Sequence, residues 1–259
     1  MAEGYVEFEF DLPAALLDSL VAEFAKMSSA SLTHEHTVQV PDEQGVYQLL
    51  VGGKVVYVGK TDADSGLRGR LSKHAWTIQH RQNLKPSDVQ FKAARVFVFT
   101  AMDLEKLLIR HYAQTAGEVW WNFSGFGSND PGRNRDQTEL KAAGFDAVYP
   151  IDLDHPVDIK TEGGVPAARI LDELRSELPY TLRAEGDGSR GRRPHPDLVN
   201  SIVEPFSVKP ATTREVLTSV LDVLPQGWQA TALPGRIIMY RETRDYSAGV
   251  IVGRSPTRS

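Results

Sequence analysis

The sequence of 259 residues contains no cysteine. This absence excludes disulfides, zinc sites built on thiolates and cysteine nucleophiles. No apolar run approaches the ~20 residues that a membrane-spanning helix needs. The first eleven residues also lack the basic segment and apolar core of a signal peptide. From these absences we expect a cytoplasmic protein with no membrane partner.

The chain as a whole has fewer basic than acidic residues. The 29 lysines and arginines stand against 34 aspartates and glutamates, which gives a net charge of −5 at pH 7. This balance argues against a protein whose whole surface holds nucleic acid. The field at one site depends, however, on where the charges lie. Residues 66–95 carry seven basic residues against the single acidic residue Asp88, and they predict a local basic surface.

Two short apolar runs lie on either side of Gly52-Gly53 and predict a β-hairpin. Each run carries a tyrosine near a glycine, as Gly45-Val46-Tyr47 and as Tyr57-Val58-Gly59. Because side chains alternate along a strand, a strict two-residue turn sends the two rings to opposite faces of the sheet. If the tyrosines act together, we expect an odd-numbered loop or a β-bulge that brings both rings to one face.

The periodicity of the chain predicts an α+β protein whose three-stranded antiparallel sheet is flanked by helices. The strands are expected at Gly45–Val51, Lys54–Gly59 and Ala94–Thr100. We divide the chain into an N-terminal arm (residues 1–44), a core with the hairpin (45–154) and a C-terminal α+β extension (155–259). In the arm, the alternation of Val6, Phe8 and Phe10 predicts a short strand, and a helix follows from Pro13 to about Met27.

The C-terminal third predicts two amphipathic helices, at 167–178 and 212–224, and a hairpin at 228–241. Just before it, the alternating segment 145–154 predicts a strand. We find no internal repeat in the sequence. Whether this third is a small unit of its own or an elaboration of the core stays open.

Four polar residues follow the hairpin. Arg70 and His74 lie at i and i+4 of a predicted helix and therefore project from the same side. Glu105 falls in the first turn of the next predicted helix, and Asn122 lies in a segment too rich in glycine, asparagine and proline for a regular element. Taken singly, each has an ordinary structural explanation, such as a solvated helix face, a helix-dipole partner or a turn. Their joint order after two tyrosines is what indicates a function.

This order resembles that of the GIY-YIG nuclease superfamily, with GVY and YVG in place of GIY and YIG. The histidine one turn after the arginine and the run WNFSGFGSNDPGRNRD are similar to the type II restriction endonucleases of that superfamily that cut the palindrome CCGCGG. The motifs cover residues 45–122, and the resemblance extends more weakly on both sides. It implies a GIY-YIG core, and it implies six catalytic residues: Tyr47, Tyr57, Arg70, His74, Glu105 and Asn122.

The resemblance implies a restriction enzyme, part of a restriction-modification system, that hydrolyses double-stranded DNA at a short GC-rich palindrome with Mg²⁺, for which Mn²⁺ can substitute. Glu105 is the implied metal ligand, since Mg²⁺ prefers hard anionic oxygens. Arg70 is the implied ligand of the scissile phosphate, and Arg68 competes for this role. Whether Tyr47 or His74 accepts the proton of the attacking water stays open.

The remaining implied roles concern positioning and DNA contact. Tyr57 and Asn122 are expected to position water, the phosphate or the catalytic tyrosine. Arginine, lysine and asparagine side chains contact phosphates and base edges in DNA complexes. The candidates for such contacts are Arg68, Lys73, Arg81, Asn83, Lys85, Asn129, Arg133, Arg135, Arg190, Arg192 and Arg193. A palindromic target implies a homodimer with one active centre per strand.

Three other functions stay open on the sequence alone. The first is a nuclease that acts on modified DNA and uses the C-terminal region as a sensor. The second is a catalytically inactive DNA-binding module, and the third is an interaction protein without affinity for DNA. Digestion of modified and unmodified plasmid identifies the first, and a nicking assay with and without Mg²⁺ identifies the second. A DNA-binding titration at two salt concentrations tests the third.

Overall fold

The computed structural model describes residues 3–61, 65–97, 103–115, 119–159, 163–188, 193–206 and 210–257. They form a mixed α+β protein, as the sequence predicts. Contacts within the chain group it into two compact units, residues 1–75 with 86–123 and residues 76–85 with 124–259. The domain boundaries placed at residues 44 and 154 stay a prediction, and neither coincides with a boundary between these units.

The first unit is built on a four-stranded antiparallel sheet of order β1-β4-β2-β3. Three α-helices of 11 to 15 residues accompany this sheet, together with one short helix. The elements are α1 (Leu12–Lys26), β1 (Ala30–Ser31), α2 (His34–Thr37), β2 (Gly45–Val51), β3 (Lys54–Lys60), α3 (Leu67–Thr77), β4 (Val89–Arg95) and α4 (Leu104–Thr115).

The predicted hairpin strands are confirmed, but the third strand is not where the sequence places it. Strand β4 ends at Arg95, whereas the predicted strand begins at Ala94 and runs to Thr100. Val96 and Phe97 lie beyond the strand, and residues 98–100 lie outside the described residues. The reason is pairing, since β4 matches β2 residue for residue and the length of β2 therefore limits β4. The sheet also has a fourth strand, because the two-residue β1 pairs with β4.

The predicted strand in the N-terminal arm is wrong, and the helix that follows it is confirmed. Val6, Phe8 and Phe10 belong to no strand and are exposed. Alternation alone does not make a strand when no neighbouring strand offers hydrogen bonds. Helix α1 begins after Asp11, whose side chain accepts a hydrogen bond from the backbone N–H of Ala14, the usual way to satisfy a free N–H at a helix start.

Strand β2 is buried on both faces, and this burial positions the hairpin. On one face Val46 belongs to an apolar cluster with Phe24 of α1 and Leu108 of α4. On the other face Tyr47 is fully buried and reaches α3. None of the helices within the described ranges combines the length and apolar content needed to cross a lipid bilayer.

The second unit contains a four-stranded sheet of order β12-β10-β11-β7, in which only β7 runs parallel to its neighbour. Its main apolar core contains the buried faces of α6 and α8. The elements are α5 (Phe145–Val148), β5 (Pro156–Val157), β6 (Val165–Pro166), α6 (Ala167–Glu177), β7 (Thr181–Ala184), α7 (Pro196–Asn200), β8 (Ile202–Val203), β9 (Ala211–Thr212), α8 (Thr213–Val223), β10 (Trp228–Leu233), β11 (Arg236–Arg241) and β12 (Val250–Arg254).

Both predicted helices and the predicted C-terminal hairpin are confirmed as α6, α8 and β10–β11. The strand predicted at 145–154 is wrong, because its first residues form the short helix α5. Phe145 is buried there and packs against Phe126 and Tyr149. A spacing of four residues between Phe145 and Tyr149 suits a helical turn, and the local aromatic contact outweighs the alternating pattern.

The second unit contains an internal repeat that the sequence does not reveal. The series β5, β6, α6, β7 is followed by β8, β9, α8, β10 in the same order. The first three elements begin 46 residues before their counterparts, as Pro156 and Ile202 illustrate. Strands of the two copies pair with each other, β5 with β9 and β6 with β8.

Candidate active site

The hairpin brings its two tyrosines to one face by means of a β-bulge. The chain turns at Gly52-Gly53, where both residues have positive φ angles of 57° and 77°. The register then shifts, because Val56 is an extra residue in β3 and Tyr57 pairs with Leu49. Since Leu49 and Tyr47 are two residues apart on β2, the rings share a face, with centroids 6.1 Å apart. The predicted bulge is confirmed.

The two tyrosine motifs need glycine for steric reasons, because a larger residue would clash with its neighbours. Gly59 lies directly opposite Tyr47, and a Cβ atom there would lie 2.4 Å from the Tyr47 hydroxyl oxygen. A Cβ atom on Gly45 would lie 2.3 Å from the carbonyl oxygen of Ala94. The Tyr47 ring therefore lies over the bare backbone of Gly59, and any larger residue would displace it.

Tyr47 forms a buried hydrogen bond with His74 of α3. The hydroxyl oxygen of Tyr47 lies 2.8 Å from Nε2 of His74. Burial and the neighbouring phenol of Tyr57 raise the pKa of Tyr47 well above its ordinary value. Burial, together with the charges of Arg70 and Lys73, lowers the pKa of His74 to about 3. At neutral pH the pair is therefore a neutral phenol and a neutral imidazole.

Arg70 is the arginine whose charge acts on this pair. Its guanidinium lowers the pKa of His74, and it opposes the rise in the pKa of Tyr47 and of Tyr57. Arg68 is exposed instead, and its Nε donates a hydrogen bond of 2.9 Å to the carbonyl oxygen of Val40. Of the two arginines that the sequence leaves open, Arg70 is the one at the tyrosine face.

Glu105 in the first turn of α4 is half-buried beside basic side chains. Burial raises the pKa of Glu105, while the charges of Lys60 and Arg70 oppose that rise. Lys60 also forms an ion pair of 3.1 Å with Asp103. Lys60 is not among the site residues predicted from the sequence, although its position directly after Tyr57-Val58-Gly59 is a signal that points to it.

Glu105 is the carboxylate at this site that forms no ion pair within the described residues. Asp103 is held by ion pairs with Lys60 and with Lys106. No group of three or more metal-ligating side chains occurs within the described part of the chain. A cation that keeps most of its water shell and takes one carboxylate fits Glu105.

The side-chain amide of Asn122 forms two hydrogen bonds with the backbone of β3. Its Oδ1 accepts a hydrogen bond of 2.9 Å from the N–H of Val58, and its Nδ2 donates one of 2.7 Å to the carbonyl oxygen of Val58. Strand β3 is the last strand of the sheet, so its outer backbone groups need such partners. The sequence predicts that Asn122 positions water, phosphate or tyrosine; in the structure its amide holds the strand that carries Tyr57.

Three of the predicted DNA-contacting residues form ion pairs or hydrogen bonds within the second unit. The Arg81 side chain is only 5% exposed and pairs with Asp146 at 2.7 Å, so Arg81 is not available to a ligand. Asn83 donates a hydrogen bond of 3.3 Å to the carbonyl oxygen of Val148. Arg133 pairs with Glu185 at 2.8 Å. Local sequence does not reveal these partners, which lie 52 to 65 residues away.

The other predicted contact residues either lie outside the described residues or are exposed. Arg190 and Arg192 lie outside the described residues. Five more are exposed, and their side chains are within reach of a ligand: Lys73, Lys85, Asn129, Arg135 and Arg193. Exposure is necessary for DNA contact, and it does not by itself identify the ligand.

Comparison of the sequence with models of known protein families gives no match, and neither does comparison with curated protein sequences.

Proposed function

We propose that the protein is a Mg²⁺-dependent endonuclease of the GIY-YIG type that cuts double-stranded DNA at a specific site, as a type II restriction enzyme does. The observation that carries this proposal is the buried hydrogen bond of 2.8 Å between Tyr47 and His74. It lies beside Tyr57 and under the influence of the Arg70 charge. A proton acceptor, a cation and a carboxylate are what hydrolysis of a phosphodiester needs.

The proton path begins at the attacking water. The pKa of Tyr47 is raised, so a free phenolate is a poor choice of base. The neutral imidazole of His74 supplies the acceptor instead. As water attacks phosphorus, its proton passes to the hydroxyl oxygen of Tyr47, and the phenol proton passes to Nε2 of His74. His74 thus ends as imidazolium, and Tyr47 is again a neutral phenol.

The charge of the substrate makes this transfer favourable. In the protein alone, the pKa of His74 is held low by burial and then by Arg70. A DNA phosphate bound to Arg70 offsets the charge of Arg70 and adds a negative charge near the imidazole. Both effects raise the pKa of His74 when the base is needed. The planar guanidinium of Arg70 also holds two phosphate oxygens at once.

Glu105 is the residue that would hold Mg²⁺. This ion dehydrates reluctantly and is commonly held by one or two carboxylates together with water and substrate phosphate, so a single half-buried carboxylate suits it. When bound, Mg²⁺ neutralises charge on a phosphate oxygen and on the leaving 3′ oxygen. Lys60, whose charge acts on Glu105, adds a second cation near the same phosphate. Mn²⁺ has similar ligand preferences and substitutes for Mg²⁺.

Digestion of supercoiled plasmid tests the proposal. We expect nicked and then linear plasmid in Mg²⁺ or Mn²⁺ and intact plasmid in EDTA. The Glu105→Gln protein, purified in parallel, controls for a contaminating nuclease. Wild-type protein that leaves many different DNA sequences intact in both metals would contradict the proposal.

Sequencing of the cut ends identifies the target and the overhang. A short palindrome implies that two copies of the chain act together, one on each strand. We therefore propose a homodimer on DNA, with cleavage rates that depend on the square of protein concentration at low concentration. Cutting restricted to methylated plasmid would instead favour a modification-dependent nuclease.

A further inference from the structure

A carboxylate in the second unit is buried and carries three hydrogen bonds. The Asp136 side chain is only 1% exposed. It accepts hydrogen bonds from Arg183 at 2.6 Å, from Arg236 at 2.8 Å and from the hydroxyl of Tyr240 at 3.2 Å. Arg183 lies on β7, and the other two donors lie on β11. Asp136 therefore attaches the preceding loop to two neighbouring strands of the sheet.

The loop in question, residues 129–136, is fixed at further points along its length. Asp130 forms an ion pair with both nitrogens Nε and Nη2 of Arg183. The carbonyl oxygen of Arg135 accepts a hydrogen bond of 3.3 Å from Arg236. The N–H of Gly132 donates to the side chain of Asp130 at 3.1 Å. A segment of glycine, proline and asparagine, which would otherwise be loose, is thus held in one conformation.

The arginines of this region differ in how their charges are compensated. Arg183 and Arg236 are paired with the two aspartates of the loop. Arg133 pairs with Glu185 at 2.8 Å, and its guanidinium lies 4.1 Å from the centre of the Tyr240 ring. Arg135 is exposed, and its side chain forms no ion pair within the described residues. Arg135 is therefore the arginine of the loop with an uncompensated charge.

Burying these charges costs free energy of hydration. We infer from this cost that the conformation they fix has a function. Buried ion pairs add little net stability over apolar packing, because both partners lose their hydration. What such a network supplies is a defined geometry. The exposed residues of this loop are Asn129, Asp130, Pro131, Arg133, Asn134 and Arg135. Asp130 and Arg133 form ion pairs, which leaves Asn129, Asn134 and Arg135 as the exposed polar side chains outside those pairs. Asparagine pairs with the edge of adenine, and arginine pairs with the edge of guanine, in the major groove of DNA.

We propose that residues 129–136 form a rigid loop that recognises base edges of double-stranded DNA, with the Arg135 guanidinium contacting a guanine. The choice of double-stranded DNA as the ligand rests on the proposed function. Asp136 is then a positioning residue, which acts through the backbone of Arg135 and does not touch the DNA. The alternative for Arg135 is a contact to a backbone phosphate, which would carry no sequence information.

Selection from a randomised pool of DNA duplexes tests this proposal without requiring turnover. Full-length protein is mixed with the pool in the absence of Mg²⁺, and the bound duplexes are sequenced. We expect wild-type protein to enrich a motif that contains guanine. The Arg135→Ala and Arg135→Lys proteins lose the preference at one guanine position by about 10- to 100-fold and keep the remaining positions, since lysine lacks the planar fork.

The controls separate base contact from general loss of binding. Arg169→Ala removes an exposed arginine of α6, in the second unit, that is not among the candidate DNA contacts, and it is expected to leave the motif unchanged. Melting temperatures check that the Arg135 variants fold. If Arg135→Ala keeps the wild-type preference, Arg135 contacts no base, and if Arg135→Ala weakens all sequences equally, Arg135 contacts phosphate. Either result overturns the proposal. A wild-type protein that enriches no motif also overturns it. Enrichment without cleavage in Mg²⁺ leaves the loop proposal intact and overturns the nuclease function alone.

Discussion

The hydroxyl of Tyr47 lies 2.8 Å from Nε2 of His74, and both side chains are buried. Because the pKa of His74 is lowered to about 3, the imidazole at the end of this hydrogen bond is neutral at physiological pH. In the proposed mechanism this hydrogen bond is a proton path that needs both residues. The first prediction tests whether they act as one unit.

Tyr47→Phe removes the hydroxyl and leaves the ring, so the fold should be kept. We expect cleavage to slow by about 10²- to 10⁴-fold, the range typical for loss of general acid–base catalysis. His74→Ala should slow cleavage by a similar factor. Single-turnover cleavage of plasmid by each variant is the measurement.

The double variant gives the sharper result. Because both residues serve one proton transfer, Tyr47→Phe with His74→Ala should be hardly slower than either single variant. Tyr5→Phe, which changes an exposed tyrosine, is the matched control and should cut at the wild-type rate. Effects that multiply in the double variant would show that the residues act independently.

Gly59→Ala should disturb the site through Tyr47. The added Cβ atom would lie 2.4 Å from the Tyr47 ring, and Tyr47, fully buried, has little room to move. We expect a loss of about 1–3 kcal/mol in the free energy of unfolding, as for other overpacked cores, and slower cleavage. Urea unfolding measures the former.

A second glycine in the same unit serves as the control for Gly59. Gly69 lies in helix α3, and a Cβ atom there meets only Asp42 Oδ1 at 3.8 Å. Gly69→Ala should therefore stabilise the protein by roughly 0.5–1 kcal/mol, because alanine favours the helix. Equal effects of the two substitutions would contradict the steric argument for Gly59.

The parts of the fold that local pattern determines were predicted from the sequence. The hairpin strands follow from apolar runs around Gly52-Gly53, and the bulge follows from the requirement that Tyr47 and Tyr57 share a face. Helix α8 is preceded by its N-cap residue Thr212, and the side chains of Thr212 and Glu215 each accept a hydrogen bond from the other's backbone N–H. Such capping is visible within four residues of sequence.

Features that depend on distant partners could not be predicted. The end of β4 at Arg95 is set by its pairing with Gly45 of β2, which lies 50 residues earlier in the chain. Asn122 looks like a turn residue until its bonds to Val58 are known. Arg81 belongs to a basic run, yet its charge is neutralised by Asp146. In each case the deciding contact crosses dozens of residues, and no periodicity signals it.

The buried histidine makes stability depend on pH. The pKa of His74 is about 3 in the folded protein and about 6.5 in an unfolded chain. Between these values the unfolded state binds more protons, so the free energy of unfolding falls as the pH drops below about 6.5. His74 should account for a loss of about 2 kcal/mol between pH 7 and pH 5.

Replacement of His74 isolates this contribution. The His74→Gln protein lacks the titrating group, while all other titrating groups are shared with the wild type. Its free energy of unfolding should fall less steeply over the same pH range. Urea unfolding at pH 7, 6 and 5 for both proteins gives the two slopes. Parallel slopes would show that His74 is not held in its neutral form.

Glu105→Gln should separate binding from cleavage. Cleavage in Mg²⁺ should drop by at least about 10²-fold, because the carboxylate proposed to hold the metal is gone. Affinity for DNA without metal should rise or stay unchanged, because a negative charge beside the phosphate is removed. Fluorescence anisotropy in EDTA and plasmid cleavage in Mg²⁺ measure the two effects. Glu7→Gln, on the exposed N-terminal segment, should change neither, and weaker binding by Glu105→Gln would contradict the assignment.

Asn122→Ala removes both hydrogen bonds to the backbone of Val58. We expect a loss of roughly 1–3 kcal/mol in stability, the usual cost of two lost hydrogen bonds. Asn122→Asp keeps an acceptor for the N–H of Val58 but places a second oxygen against its carbonyl, so it should not restore stability. Asn129→Ala, in an exposed position, should leave stability within about 0.5 kcal/mol of wild type.

Hydrogen exchange distinguishes this structural role from a direct role in the reaction. If Asn122 holds the outer strand, the backbone N–H of Val58 should exchange faster in Asn122→Ala, and cleavage should slow because Tyr57 on the same strand is less well positioned. The two effects should then vary together across Ala, Asp and Ser at this position. A variant that loses cleavage but keeps wild-type exchange at Val58 and wild-type stability would show that the Asn122 amide acts on water or phosphate instead.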